Sequence, residues 1–176
     1  MLRACQPVSR LALPATLALG GEASFPAYQA EFTRLYAFGR VVDVLGNTVR
    51  FPAGACRHVC FKPQEADPSS RSPRTVWSQE RAERIPWILM ALTNPCTEVR
   101  PNVQRPDRLS YILVVEAVPD QGLPQEYFGI VTEPLQPGVV EFVTAFPFDH
   151  AYWAHWRMGG APLYPHKPPR TKKRRR

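Results

Sequence analysis

The sequence predicts an α+β domain in which an N-terminal helix, a small hairpin and one main helix pack on an antiparallel sheet of about four strands. Three observations carry that expectation. A helical apolar period runs through WSQERAERIPWILMALTNP. After it come three runs rich in β-branched and aromatic residues, at 109–118, 127–132 and 139–146, separated by segments holding Pro, Gly and Asp. Composition completes the case, since 176 residues at 44% apolar and 11% aromatic suit one domain with a real core. The 20 prolines cluster between the apolar runs, so regular elements are expected to be short and loops many.

Residues 1–23 are read as a flexible or targeting N-terminus. Arg3 and Arg10 precede a short apolar run that ends among small residues, the outline of a secretory signal, which Pro14 and the run's shortness weaken. A single domain is expected over residues 24–164. Phe25, Tyr28, Phe32, Leu35 and Tyr36 recur at helical spacing, with Pro26 suited to a first turn and Gly39 to the stop. Residues 40–45 and 48–51 flank Gly46 and Asn47, a pair that accepts the positive φ of a two-residue hairpin loop. Residues 64–74 read as an exposed loop. Ser78 opens the main helix, whose apolar positions are Ala82, Ile85, Ile88, Leu89 and Leu92. Pro86 either kinks that helix or begins it, and Asn94 with Pro95 ends it.

The formal charge of +7 is an average that hides its source: the last ten residues hold seven Lys or Arg and no acid, leaving the rest neutral. Residues 165–176 are therefore expected to be a disordered basic tail, because like charges repel and nothing apolar is buried. Lys167, Arg170, Lys172, Lys173, Arg174, Arg175 and Arg176 are its nucleic-acid-binding candidates, gaining affinity by releasing counterions from phosphates. A solvating terminus or a nuclear-import address fits the same residues. No stretch reaches the approximately 20 apolar residues needed to span a bilayer, which argues against a membrane partner. A cytoplasmic location is the expectation, with secretion or delivery as an effector the alternative.

Cys5, Cys56, Cys60 and Cys96 are too few and too scattered for a disulfide framework. In CRHVCFK, read as a strand, Cys56, His58, Cys60 and Lys62 share one face. That set lacks a fourth zinc ligand at the usual spacing, so two small buried hydrophobes beside a polar residue is the better reading. No metal or cofactor is expected.

The order of an HVCFK strand, a helix ending in IPWILMALTNP, and three strands closing on FVTAF resembles the phage and polymorphic-toxin nucleases of the barnase, EndoU, colicin and RelE-like superfold. The resemblance covers about half the chain. It implies a small, metal-independent endoribonuclease, toxin-like or effector-like, acting on RNA, with tRNA among the candidates. It also implies a neutralising immunity or antitoxin protein as a partner. In that group a late-strand Thr or Ser binds the scissile phosphate, and Thr144 occupies such a position.

Cleaving RNA without a metal needs a base for the 2′-hydroxyl proton, an acid for the leaving oxygen and cations around the phosphate. His58 is the candidate acid or base, because histidine titrates near neutral pH. Lys62, on the same expected strand face, and Arg81 and Arg84, three apart on the main helix, are candidate phosphate clamps. Glu80 and Glu83 lie on that helix too, so a solvated helix surface is the alternative for the arginines. Phe148, Tyr152, Trp153 and Trp156 cluster with His150, His155 and Arg157, a mixture assigned to packing first and RNA contact second. His155 is a secondary catalytic candidate. Two other functions fit the residues: a noncatalytic nucleic-acid-binding module using the tail, and an ADP-ribosyltransferase-like toxin using His58, Tyr111 and Glu141.

Overall fold

Helix α1 (Phe25–Tyr36) forms where the aromatic spacing predicts it, burying Tyr28, Phe32 and Tyr36 one turn apart behind a first-turn proline. The computed structural model describes residues 7–9, 12–63, 74–116, 126–156, 158, 162 and 163. Expectations that fall on residues 1–6, 10, 11, 64–73, 117 and 118, on Arg157 and on the basic tail lie outside the described residues.

Strands β1 (Val41–Val42) and β2 (Thr48–Arg50) make a hairpin where one was expected, but its loop spans residues 43–47 rather than two residues, and Gly46 alone takes the positive φ foreseen for Gly46 and Asn47. Asp43 holds its turn, accepting the N–H groups of Leu45 and Asn47 at 2.9 and 2.8 Å, and Gly46 adopts a φ of +88°.

Ala55–Cys60 is a helix, α2, where alternation predicted a strand. The carbonyls of Pro52 and Gly54 accept the N–H groups of Ala55 and His58 and so start a turn. Cys56, Val59 and Cys60 then lie three and four apart on the buried side, with Arg57 and His58 facing out. A run this short satisfies both periods, and burying Val59 together with the cysteines selects the helical one. Lys62 consequently does not share a strand face with His58. It is exposed on β3 (Phe61–Pro63), which pairs with β4 (Arg74–Trp77) as a separate two-stranded ladder.

The expected main helix is two helices, α3 (Gln79–Glu83) and α4 (Trp87–Thr93), divided at Pro86, which lacks a backbone donor. The break resets the helical phase. Ala82, Ile85, Ile88 and Leu92 are buried as expected, but Leu89 is 44% exposed and Trp87 is buried instead.

The remaining strands are β5 (Glu98–Pro101), β6 (Leu109–Val115), β7 (Glu126–Gln136) and β8 (Val139–Phe148), followed by α5 (His150–Trp156). With β1 and β2 they form one sheet of six strands, in the order β1-β2-β8-β7-β6-β5, rather than a sheet of four. The sheet is mixed, because β2 runs parallel to β8 while its other pairings are antiparallel. β5 went unforeseen. It is an edge strand carrying Pro101 and an Arg100–Glu98 ion pair, features that discourage further pairing and also blur the strand signal.

Alternation along β6 shows how the sheet is covered on both faces. Tyr111, Leu113 and Val115 join the main core with α1, α2 and α4, whereas Ile112 and Val114 join a smaller cluster capped by Trp156 of α5. β7 and β8 are irregular in one place that matters. Thr132 pairs with Phe142 and Val131 with Thr144, so Val143 is the extra residue of a β-bulge. β2 accompanies β8 from Val139 to Glu141, and beyond that α2 and α3 pack against β8.

Candidate functional site

The carbonyl oxygen of His58 joins three segments of the chain. It belongs to the last turn of α2, where backbone acceptors have no helical partner. The Thr144 hydroxyl donates to it at 2.9 Å from β8, and Arg74 Nη1 donates to it at 3.2 Å from β4. The same arginine nitrogen lies 3.5 Å from the Phe61 carbonyl. The end of α2, the start of β4 and the bulge of β8 are thereby held together.

The imidazole is fixed by that bulge. His58 Nδ1 lies 3.3 Å from the Val143 carbonyl oxygen, which can only accept, so Nδ1 carries the hydrogen. In the neutral ring the free lone pair is then on Nε2. His58 is exposed, with its ring on the outer side of α2 and within reach of solvent.

Arg81 approaches from α3, with its guanidinium 4.9 Å from the centroid of the Phe146 ring. Its Nη1 is buried and has no hydrogen-bond partner. Burial, and after it the charge of Arg74, hold the Arg81 pKa down at about 10. Burial lowers that of Arg74 as well. Both guanidinium groups are thus partly desolvated, and among the described residues neither forms an ion pair with an acid. Cations kept this way cost stability, and a bound anion would relieve that cost.

The other expected clamp residues are elsewhere. Arg84 Nε donates to Glu126 at 2.6 Å, its Nη1 donates to the Glu80 carbonyl at 2.9 Å, and its guanidinium covers Trp87 at 5.1 Å. Its charge is answered inside the protein. Among the described residues no hydrogen bond or ion pair links Lys62 to the group around His58. Thr144 is buried and donates its hydroxyl to a carbonyl, which makes it a brace between α2 and β8. Arg74 was expected in the exposed loop 64–74 and instead begins β4, half-buried; nothing in RTVW sets it apart.

The aromatic segment packs as expected. Trp156 and Phe148 of the smaller cluster lie at 5.1 Å, and Phe146 meets Trp156 at 5.6 Å. His150 Nδ1 pairs with the Tyr127 hydroxyl at 2.8 Å, and His155 lies beside Tyr152 at 6.0 Å. Tyr111, invoked for ADP-ribosyl transfer, is fully buried and donates its hydroxyl to Asp43. Burial and the Asp43 charge push its pKa up.

Among the described residues no group of three His, Cys, Asp or Glu is placed to hold a metal ion. Cys56 and Cys60 face the core, with their sulfurs 3.9 Å apart, while His58 faces out. Nor is any helix among the described residues long and apolar enough to cross a membrane. No protein family, curated protein or solved structure matches the chain.

Proposed function

We propose that this chain is a metal-independent endoribonuclease of the toxin or effector kind. The observation that carries the reading is that His58 and Arg74 meet at the bulge of β8, the imidazole on the Val143 carbonyl and the arginine on the His58 carbonyl, with Arg81 over Phe146 of the same strand and Thr144 bracing the imidazole's helix. His58 Nε2 takes the proton of a ribose 2′-hydroxyl, and that oxygen attacks the adjacent phosphorus. The bond from phosphorus to the 5′-oxygen breaks, and the leaving oxygen is protonated from water at the exposed mouth of the site. Products are a 2′,3′-cyclic phosphate and a free 5′-hydroxyl. Arg74 and Arg81 stabilise the charge that gathers on the phosphoryl oxygens as the fifth bond forms. Preorganisation supports the reading further, because both arginines are already desolvated and held in place before any substrate arrives.

A noncatalytic nucleic-acid-binding module remains the second reading, favoured by the tail and by the Thr144 hydroxyl being directed at a carbonyl. Purified protein incubated with RNA in excess chelator separates the two. Cleavage leaving cyclic phosphate ends, lost in His58→Ala with the fold retained, supports the nuclease. RNA bound and left intact by the wild type overturns it in favour of the binding module.

A further inference from the structure

Tyr152 stands out among the aromatic residues of α5. Its ring rests on Phe146, Phe148 and Trp156 at 5.9, 5.7 and 5.8 Å, yet the residue is 40% exposed. A tyrosine so well supported from beneath has few rotamers left, and its ring presents a fixed apolar surface to solvent. Arg81 packs on the same Phe146 ring, its guanidinium 4.9 Å from the ring centroid. The Nη1 of Arg81 is buried without a partner, so the charge of this guanidinium is incompletely answered inside the protein.

We propose that Tyr152 is the stacking platform for a nucleobase whose own phosphate lies between Arg74 and Arg81. This makes the site a nucleotide subsite rather than a bare anion hole, and it rests on the phosphate-binding reading above. Both ends meet the same phenylalanine ring, so a single nucleotide spans them. Stacking on an aromatic ring needs only the flat face that every base has, so the platform confers affinity for RNA with little preference among bases. Tyr152 is a binding residue in this scheme and takes no part in proton transfer.

Calorimetric titration with inorganic phosphate, ribose 5-phosphate and adenosine 3′-monophosphate tests the proposal. The wild type is expected to bind the nucleotide about fivefold to a hundredfold more tightly than ribose phosphate, the range that one stacked base supplies. Tyr152→Leu, which keeps apolar cover over Phe146, should abolish that difference while leaving the affinity for ribose phosphate unchanged. Tyr152→Phe should keep it. Equal affinities in the wild type, or a difference that survives in Tyr152→Leu, overturn the platform while leaving the phosphate site standing. If none of the three probes binds, the phosphate site itself is wrong and the platform falls with it.

Discussion

Replacing Arg81 with methionine should make the protein more stable and less active, a combination that a structural role for this arginine would not produce. Its Nη1 is buried without a partner, and leaving such a group unsatisfied costs about 1–3 kcal/mol, toward the upper end for a charged one. The guanidinium recovers part of this by lying over Phe146, a contact of about 0.5–2 kcal/mol. Methionine keeps the apolar stem and offers sulfur to the same ring at about 0.3–1.5 kcal/mol. The difference favours Arg81→Met by about 1–2 kcal/mol, or about 2–8 °C in Tm at 2–4 °C per kcal/mol. The pH dependence has a definite sign. The folded state disfavours the charged guanidinium, so the wild type carries its deficit at every pH below about 10 and gains stability as pH rises past that value. The advantage of Arg81→Met should therefore be constant from pH 6 to 9, an interval placed well below that titration. Thermal unfolding with and without phosphate supplies the second readout. The wild type should be stabilised by about 2.7 kcal/mol at phosphate one hundred times its Kd, and Arg81→Met should not respond. Cleavage should fall about 10²- to 10³-fold, as expected when one donor to the transition-state oxyanion is lost. A variant that is less stable than wild type, yet still responds to phosphate, would refute the reasoning.

Other perturbations read separate parts of the account. Thr144→Val removes the hydroxyl donated to His58, which Arg74 still serves, so urea denaturation should show a loss of about 1 kcal/mol, cleavage should fall as α2 shifts, and Thr144→Ser should restore both. Arg84→Met removes the guanidinium from its pair with Glu126, whose two side chains are 16% and 12% exposed. A stability loss of about 3 kcal/mol is expected there, with cleavage per folded molecule unchanged. In Gly129→Ala the new Cβ would lie 2.5 Å from Phe148 and 2.9 Å from Trp156, displacing α5. The cost should be about 1–3 kcal/mol, with an altered near-ultraviolet tryptophan signal. Deleting the seven basic residues of the last ten should flatten the salt dependence of RNA binding by up to about 5 in the log–log slope, at about 0.7 per phosphate contact. Cleavage of a dinucleotide should be untouched by that deletion.

Elements with one dominant local signal were legible in the sequence. Phe25, Tyr28, Phe32, Leu35 and Tyr36 can share a face only in a helix, Gly46 suits a turn that needs its positive φ, and the runs of β6 to β8 are too rich in branched and aromatic residues for anything but strands. Where two periods fitted equally, as in CRHVCFK, the choice lay with burial against β8, which no short window contains. The parallel pairing of β2 with β8 and the edge strand β5 are likewise decided by what lies beside them. For the site, histidine chemistry drew attention to His58, and Arg81 and Thr144 were singled out by residue type and order. Their geometry was hidden. The bulge that frees the Val143 carbonyl is a matter of register with β7, Arg74 arrives from across the β3–β4 ladder, and Glu126 claims Arg84 from β7.

A DNA oligonucleotide carrying a single ribose, incubated with the protein in excess chelator, tests the central claim most directly. Only the ribose supplies a 2′-hydroxyl from which His58 can take a proton. One cut is predicted, immediately 3′ of that ribose, with a cyclic phosphate on the upstream product, and no cut in His58→Ala. Cutting at deoxyribose positions, or equal cutting by His58→Ala, would contradict it.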